Sequence, residues 1–254
     1  MAKEFKDEKR IRYFIGDVRD KERLNRAFEG VDYIIHAAAL KQVVALEYNP
    51  IEAIKTNIIG TQNVIDCALD RKVKKVLLVS TDKAVEPINL YGATKMCAEK
   101  LILTSNVYAS KGSTKLSVVR YGNVVGSRGS VSELFANQIV SGTLTLTDKD
   151  MTRFWFDISD AVEFALKSLD VMNGKEIFIP KIPKKRIIDI TNDVVRENPH
   201  CKIEIIGMRK GEKMHETLIS GYESLYAEDK GDYYILGEKT VRDYRESFVY
   251  NSIC

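Results

Sequence analysis

The chain has 254 residues, which is enough for one large domain with a buried core. Its formal net charge of +3 is too small to indicate a nucleic-acid-binding protein. The four cysteines form no Cys-x-x-Cys pair and no apolar run is long enough to span a bilayer, so we expect a reduced, soluble, cytoplasmic protein without a metal site.

Strands and helices alternate along the first part of the chain. We predict strands at 12–16, 31–36, 76–80 and 116–121, and helices at 20–29, 50–70, 91–103 and 131–141. Further strands are predicted at 144–147, 176–179 and 202–206, and helices at 158–172 and 187–197. This alternation is typical of βαβ units and predicts an α/β fold with a doubly wound parallel sheet. We expect the main domain at 1–143, and at 144–254 a smaller substrate-binding part with some strands returning to the main sheet.

The apolar strand 76–80 ends in polar and ionisable residues, Thr81, Asp82 and Lys83. In an open α/β sheet ligands bind at this end of the strands. Tyr91 and Lys95 are four residues apart, so they lie on one face near the start of the next helix. A lysine ammonium beside a phenol favours the phenolate, which predicts Tyr91 as a base towards an alcohol, with Asp82 and Lys83 as further proton carriers.

Six motifs occur together and in a fixed order. They are 80–84 (Ser-Thr-Asp-Lys-Ala), 89–95 (Asn-Leu-Tyr-Gly-Ala-Thr-Lys), 120–130 (Arg-Tyr-Gly-Asn-Val-Val-Gly-Ser-Arg-Gly-Ser), 151–155 (Met-Thr-Arg-Phe-Trp), 177–183 (Ile-Phe-Ile-Pro-Lys-Ile-Pro) and 209–213 (Arg-Lys-Gly-Glu-Lys). In combination they resemble the inverting UDP-N-acetylglucosamine 4,6-dehydratases of the extended short-chain dehydrogenase/reductase superfamily. The resemblance covers about residues 11 to 219 and implies a Rossmann-like sheet.

The resemblance implies a set of site residues. The implied catalytic residues are Asp82, Lys83, Tyr91 and Lys95. The implied cofactor is NADP, with NAD as the alternative, and its contacts are Asp17, Val18, Ala37, Ala38, Ala39, Lys41, Thr56, Asn57, Tyr91, Lys95 and Val124. The implied contacts of UDP-N-acetylglucosamine or a similar UDP-sugar are Lys41, Thr81, Asn123, Arg128, Arg209 and Glu212. The resemblance also implies a homo-oligomer, with no nucleic-acid or membrane partner.

The family chemistry explains why Lys83 discriminates between activities. Oxidation at C4 acidifies the C5 proton, which a lysine matching Lys83 removes while an aspartate matching Asp82 protonates the departing C6 hydroxyl. Related retaining dehydratases have Glu at this position, and epimerases usually have small hydroxyl or apolar residues. A lysine serves as a base near neutral pH only if burial or a neighbouring cation lowers its pKa by roughly 2–3 units.

The chain departs from the family pattern in two places. No Gly-x-Gly-x-x-Gly occurs, and the first βαβ unit that precedes the strand at 12–16 in this fold is missing. The strand at 12–16 therefore loses its neighbour, and the strand at 31–36 becomes an exposed apolar edge. The second departure is Lys-Gln-Val-Val at 41–44, where family members typically read Lys-His-Val-Pro.

Two explanations of the missing unit and two alternative functions stay open at this point. Met1 aligns with an internal methionine of a longer protein, or the gene is a degenerate remnant; the intact Asp82, Lys83, Tyr91 and Lys95 favour the first. The leading hypothesis is the dehydratase. The alternatives are a nucleotide-sugar epimerase or reductase of the same fold, and a non-catalytic protein that binds the UDP-sugar only.

Overall fold

The computed structural model describes residues 8–109, 114–127 and 131–254. The helices are α1 (Lys21–Ala27), α2 (Val43–Tyr48), α3 (Pro50–Ala53), α4 (Gly60–Asp70), α5 (Leu90–Thr104), α6 (Val131–Ile139), α7 (Ile158–Val171) and α8 (Ile187–Glu197). The strands are β1 (Tyr33–His36), β2 (Lys75–Thr81), β3 (Lys115–Tyr121), β4 (Asn123–Val124), β5 (Thr143–Leu146), β6 (Thr152–Phe156), β7 (Ile177–Pro180), β8 (Lys184–Arg186), β9 (Lys202–Ile205), β10 (Thr217–Ile219), β11 (Ala227–Asp229), β12 (Tyr233–Leu236) and β13 (Tyr250–Asn251).

Six strands form the main sheet, in the order β1-β2-β3-β7-β12-β11. The first four run parallel, and β12 and β11 complete the sheet in antiparallel fashion. The predicted Rossmann-like α/β fold with a mostly parallel sheet is confirmed. Because β1, β2 and β3 are parallel, their carboxyl ends meet at one edge of the sheet, where a parallel α/β fold places its ligands.

Apolar residues on both faces of β2 and β3 hold the helices against the sheet. On one face, Val64 and Ile65 of α4 and Ile102 of α5 share a core cluster with Val76 and Leu78 of β2. On the other, Ala165 of α7 packs in a cluster with Leu77 and Phe178. Successive side chains of a strand point to opposite faces, so a strand covered on both sides is apolar throughout. A second, smaller cluster lies among α6, α8, β5 and β9.

The predicted strand at 12–16 is wrong. Residues 11–16 form no strand, and Ile15 is 94% exposed. The backbone carbonyl of Ile15 accepts a hydrogen bond from the Arg23 side chain (2.7 Å) instead of from a neighbouring strand. A strand needs a partner for its backbone N–H and C=O groups, and in the described part of the chain none lies beside this segment.

The strand at 31–36 is confirmed as Tyr33–His36, and it lies at the edge of the sheet. Within residues 8–109, 114–127 and 131–254, no strand pairs with its outer side. Tyr33 and Ile35 on one of its faces are 53% and 43% exposed. The expected apolar edge is therefore present in the described structure.

The predicted helix at 50–70 is continuous but not regular. It consists of α3, a π-helical turn at Ile54–Ile59, and α4. π-Helical turns are rare and often occur at functional sites because the extra residue changes the direction of the side chains around it. Here the turn contains two of the predicted cofactor contacts, Thr56 and Asn57. Of the helices that the structure describes, none is long and apolar enough to cross a membrane.

Gly92 allows α5 to approach the turn that follows β2. A Cβ atom at this position would lie 2.1 Å from the carbonyl oxygen of Lys83. We therefore expect Gly92→Ala to lower the free energy of unfolding by about 1–3 kcal/mol, because either the helix or the turn must move. Gly221→Ala is the matched control, since its Cβ would meet only a methyl group of Val249 at 3.9 Å. Urea denaturation of the two variants measures the difference, and equal stabilities would contradict this reading of Gly92.

Candidate active site

The candidate active site lies at the carboxyl ends of β1, β2 and β3. After Thr81 the chain makes a short 3-10 turn, Asp82–Ala84, and Thr81 caps this turn with its side chain. The helix α5 begins after Asn89, whose Oδ1 accepts a hydrogen bond from the backbone N–H of Gly92 (2.8 Å). A side-chain cap satisfies one of the free N–H groups at a helix start and fixes where the helix begins. The cap and the turn together place Tyr91 beside Asp82 and Lys83.

Asp82 is fully buried. Its Oδ1 accepts hydrogen bonds from Thr81 Oγ1 (3.0 Å) and Lys83 Nζ (3.1 Å), while Oδ2 is buried without a partner. Burial raises the pKa of this carboxyl, because a charged carboxylate is poorly solvated there, and the nearby Lys83 only partly opposes the effect. A carboxyl with a raised pKa can hold a proton, which suits a general acid.

Lys83 lies between two carboxylates. Its Nζ is 3.1 Å from Asp82 Oδ1 and 3.2 Å from Glu216 Oε1. Burial by itself lowers the pKa of Lys83, but the two carboxylates outweigh it and the net pKa is raised. The lowering of the pKa that a base role requires is therefore not found here, and the two carboxylates favour the ammonium form of Lys83. The sequence did not predict this because Glu216 is far away along the chain.

Tyr91 is affected by a different lysine from the one predicted. Burial raises the pKa of Tyr91, while Lys83 and a hydrogen bond with Thr81 lower it. Lys83 is thus the cation that most favours the phenolate. Lys95 Nζ donates to the backbone carbonyl of Val79 (2.8 Å), and burial lowers its pKa to about 8. Tyr121 is close enough to Tyr91 that burial and this neighbour raise its pKa to about 12.

Three buried oxygen atoms around this site have no hydrogen-bond partner. They are Asp82 Oδ2, Asn123 Oδ1 and Glu216 Oε2. Only four such side-chain atoms occur among the residues that the structure describes, the fourth being Thr114 Oγ1. Leaving a buried acceptor unpaired costs about 1–3 kcal/mol, so native proteins leave few of them. Their concentration here indicates a site shaped for a polar ligand with hydroxyl or N–H donors.

The predicted cofactor contacts are on the β1 side. Ala37 and Ala38 are exposed and Ala39 is half-buried directly after β1, so small side chains leave this end of the strand open. The Asn57 amide bonds the backbone N–H and C=O of Leu40 (2.8 and 2.9 Å) and Thr94 Oγ1 (3.0 Å). These bonds fasten the loop after β1 to α5, so Asn57 acts on the pocket by holding its wall.

The remaining predicted cofactor contacts are placed as follows. Asp17 is exposed and accepts hydrogen bonds from Arg19, which lower its pKa. Val18 packs on the main core cluster, and Thr56 is half-buried in the π-helical turn. Val124 lies in β4, and Lys41 Nζ donates to Ser127 Oγ (3.3 Å). Burial and the charge of Lys83 lower the pKa of Lys41.

Two of the predicted substrate contacts, Arg209 and Glu212, are in the loop between β9 and β10, which packs beside the start of α5. Asn89 Nδ2 donates to the carbonyl of Gly211 (2.8 Å), and Lys213 Nζ donates to the carbonyl of Val85 (2.7 Å). These two bonds bring Arg209 and Glu212 to the side of the site that carries the 82–91 segment. Glu212 Oε2 accepts from the backbone N–H of Arg209 (3.2 Å). Arg128 lies outside the described residues.

Two buried charged residues of the site carried no predicted role. Glu216 is 2% exposed and contacts Lys83, and Arg153 is 7% exposed in β6. Arg153 lowers the pKa of Glu216, and Lys83 does so more strongly; together they outweigh burial. Arg153 lies in one of the six motifs and Glu216 follows another by three residues, which was the only signal in the sequence.

His36, at the end of β1, is buried, and its lowered pKa makes the stability of the protein depend on pH. It is 4% exposed, its Nε2 lies 3.1 Å from Thr61 Oγ1, and burial together with Lys95 lowers its pKa to about 3. The folded protein keeps His36 neutral while the unfolded chain binds a proton below about pH 6.5, so stability falls as the pH drops below that value. Between about pH 7 and pH 5 this amounts to about 2 kcal/mol.

His36→Gln removes this titration, so we expect its stability to depend less on pH than that of the unsubstituted protein. His200→Gln is the control, because His200 is exposed. Urea denaturation near neutral and at about pH 5 compares the three proteins. If His36→Gln loses as much stability on acidification as the control, the assignment of His36 as a buried neutral histidine is wrong.

A model of the family described as "Polysaccharide biosynthesis protein" matches residues 1–238. The chain belongs to this family. It is 50% identical over 228 residues to the inverting UDP-N-acetylglucosamine 4,6-dehydratase of Campylobacter jejuni, covering 89% of this chain and 67% of the relative. It is 44% identical to a protein of Rickettsia rickettsii named UDP-glucose 4-epimerase, with the same coverage.

Solved structures share the fold. The X-ray structure of Pen from Bacillus thuringiensis is similar with a TM-score of 0.93 and 41% identity, over 99% of this chain and 79% of that chain. A dTDP-glucose 4,6-dehydratase of Streptomyces venezuelae, DesIV, with NAD and DAU bound, has a TM-score of 0.73 and 22% identity, over 84% and 72% of the two chains. The second likeness shows the fold alone.

Proposed function

We propose that this member of the polysaccharide biosynthesis protein family is a UDP-N-acetylglucosamine 4,6-dehydratase that inverts the configuration at C5. The observation that carries the proposal is the Asp82–Lys83 pair at the end of β2, where a buried Asp82 and a half-buried Lys83 lie beside Tyr91. Loss of water from C5 and C6 needs both a base and an acid, and an epimerase needs neither of these two. The name of the 50% identical Campylobacter relative supports the same activity.

The residues present fit the nicotinamide and ribose half of a dinucleotide cofactor. Ala37, Ala38 and Ala39 leave open space after β1, and Lys95 lies buried below Tyr91 with one hydrogen bond among the described residues, to Val79. A nicotinamide cofactor held there would accept the hydride from C4 and return it to C6. No Gly-x-Gly-x-x-Gly for the pyrophosphate occurs in the 254 residues. NADP, with NAD as the alternative, is part of the proposal, and the DesIV structure of the same fold holds NAD.

Tyr91 takes the proton of the substrate O4, helped by the charge of Lys83. The resulting ketone at C4 acidifies the C5 proton, which Lys83 removes once it has given up its own extra proton. When C6 is reduced, C5 takes a proton on its opposite face, which inverts the centre. Asp82, whose pKa is raised by burial, donates its proton to the oxygen leaving C6. Asn123, Arg209 and Glu212 hold the UDP-sugar; the guanidinium of Arg209 suits a pyrophosphate because its fork donates two parallel hydrogen bonds.

The test is to incubate the protein with UDP-N-acetylglucosamine and NADP in deuterated water and to measure the mass of the nucleotide sugar by mass spectrometry. We expect a product that is lighter by one water before the isotope is counted, with one deuterium at C5. An epimerised sugar without loss of water would replace the proposal by an epimerase, as the Rickettsia relative is named. Binding of the UDP-sugar in calorimetry without any conversion would replace it by a non-catalytic binding protein.

A further inference from the structure

Glu216 lies beside the candidate catalytic groups although it comes from a distant part of the chain. It is 2% exposed, and its Oε1 lies 3.2 Å from Lys83 Nζ. Burial by itself raises the pKa of Glu216, but Lys83 and Arg153 outweigh it and the net pKa is lowered. Glu216 is therefore a carboxylate that the cations around it keep in its charged form.

The carboxyl-terminal segment fastens Glu216 in place. Ser252 is fully buried, and its Oγ accepts a hydrogen bond from the backbone N–H of Glu216 (2.9 Å). The backbone N–H of Ser252 donates to the Glu216 carbonyl (2.8 Å), and the Ser252 hydroxyl bonds Thr152 Oγ1 (2.9 Å). Because the backbone of Glu216 is held through both its N–H and its carbonyl, the carboxylate stays beside Lys83. Ser252 lies beyond residue 238, where the family match ends.

The charged and titratable groups around Lys83 come from several elements. They are Asp82 of the same turn, Tyr91 of α5, Lys41 after β1, Arg153 of β6 and Glu216 before β10. Asp82 and Glu216 favour the ammonium form of Lys83, whereas a cation such as Arg153 favours the amine. When Asp82 holds the proton that it donates to the leaving oxygen, Glu216 is the carboxylate that remains beside Lys83.

We propose that Glu216 is the fixed counter-ion of Lys83 and sets the pH above which Lys83 acts as the C5 base. This inference rests on the proposed dehydratase function. Glu216 acts through Lys83 and is a positioning residue. Its carboxylate keeps an ammonium group beside Tyr91 for the oxidation at C4, where a cation favours the phenolate. The same charge limits the fraction of amine that the next step needs.

Glu216 takes no proton at any step. The Lys83 side chain is 23% exposed, so its extra proton can leave to water. The amine then takes the C5 proton, whose electron pair forms the C5–C6 double bond, while the C6–O bond breaks and the hydroxyl leaves as water with the proton of Asp82. Lys83 is then an ammonium ion again. Asp82 regains its proton from water by way of Lys83, whose Nζ is 3.1 Å from Asp82 Oδ1.

Glu216→Gln tests the counter-ion, because glutamine keeps the size of the side chain and an oxygen for Lys83 Nζ but carries no charge. Nitrogen-15 NMR of labelled lysine follows the protonation of Lys83, assigned by its absence from Lys83→Arg. We expect Lys83 to titrate about 1–2 pH units lower in Glu216→Gln than in the unsubstituted protein. Glu197→Gln, on the exposed end of α8, is the matched control and should leave this titration unchanged.

Glu216→Asp separates the charge of this side chain from its size. Aspartate is one methylene shorter but leaves a carboxylate within the range over which an opposite charge stabilises an ammonium ion. We therefore expect Lys83 in Glu216→Asp to titrate closer to the unsubstituted protein than to Glu216→Gln.

Uptake of deuterium at C5 measures the base itself. UDP-6-deoxy-N-acetylglucosamine has a C4 hydroxyl to oxidise but no C6 hydroxyl to lose, so its reaction stops after the C5 proton has been removed and replaced. With NADP in deuterated water, NADPH absorbance follows the oxidation and mass spectrometry follows deuterium in the sugar. Near neutral pH we expect uptake per molecule of ketone to rise about tenfold in Glu216→Gln, since the amine fraction grows tenfold for each pH unit by which the titration falls.

The direction of this change excludes a merely structural role, because a loosened site slows the removal of the C5 proton. Slower uptake in Glu216→Gln at every pH would overturn the proposal. Identical titrations of Lys83 in Glu216→Gln and in the unsubstituted protein would overturn it whatever the enzyme does, as would a Glu216→Asp variant that titrates like Glu216→Gln. A lowered titration in a protein that never oxidises the UDP-sugar overturns the dehydratase and leaves the Glu216–Lys83 link supported.

Discussion

Lys83→Arg is expected to lower the elimination of water by about 10²–10⁴-fold while the protein keeps its fold and its affinity for the UDP-sugar. Arginine preserves a cation between the side chains of Asp82 and Glu216, so the Glu216 carboxylate is not left buried without an opposite charge. Its guanidinium stays protonated at any pH the protein survives and cannot take a proton from C5. The charge is retained and the proton transfer is lost.

Product mass and deuterium at C5 measure this loss, and calorimetry with UDP-N-acetylglucosamine measures binding. Lys149→Arg, on the exposed surface, controls for the exchange of lysine for arginine. Turnover at the control's level in Lys83→Arg would show that another group removes the C5 proton. Tyr91→Phe separates the two halves of the reaction, because it is expected to stop the chemistry before the C5 proton becomes acidic.

Arg120→Met is expected to lower the free energy of unfolding by about 3–5 kcal/mol, the largest effect on stability that we expect. Arg120 is 2% exposed and pairs with two carboxylates, through Nη2 with Glu99 Oε2 (2.7 Å) and Glu223 Oε1 (2.9 Å). Its Nη1 also donates to the carbonyl of Leu218 (2.9 Å). Removing the guanidinium leaves the buried Glu99 and the half-buried Glu223 close to each other without a cation.

Arg186→Met is the control, because its ion pair with Asp189 is half exposed and such pairs contribute about 0–1 kcal/mol. Adding Glu99→Gln to Arg120→Met removes one of the two uncompensated charges and should restore part of the stability. Urea denaturation measures the free energy of unfolding of the unsubstituted protein, the two single variants and the double variant. A loss for Arg120→Met no greater than for Arg186→Met would contradict the interpretation.

The Arg120 network also connects the core to the active site. Glu99 accepts a hydrogen bond from Ser80 (2.5 Å), directly before Thr81, and the Leu218 carbonyl lies two residues after Glu216. One buried arginine therefore ties the strand that carries Asp82 and Lys83 to the segment that carries Glu216. Arginine suits this task because its planar group donates in several directions at once. We expect Arg120→Met to disturb the site geometry as well as stability.

The pH dependence of this network has a definite sign. Arg120 lowers the pKa of Glu223 although burial opposes it. A carboxylate with a lowered pKa in the folded state stabilises the protein above its unfolded pKa of about 4.3, and this contribution is lost as the pH falls through the folded value. The ion network and the buried neutral His36 thus both favour unfolding in acid.

The sequence by itself determined the parts of this protein that depend on neighbours along the chain. Apolar runs and helical periodicity predicted the strands and helices around β2, because these patterns reflect burial of one short segment. Thr81, Asp82 and Lys83 were placed with Tyr91 for the same reason, since a strand end and the next helix are ten residues apart. The exposed edge at β1 also followed from counting strands.

Only the tertiary structure decided which charges surround Lys83. Glu216 is 133 residues further along the chain and Ser252 is further still, so no local pattern connects them to β2. The pKa of a buried group depends on all charges within a few ångströms, whatever their separation in sequence. For this reason the sequence could state only that a base role needs a lowered pKa, and the fold showed that two carboxylates raise the pKa of Lys83. The strand at 12–16 was wrong for a related reason, because a strand exists only through its partner.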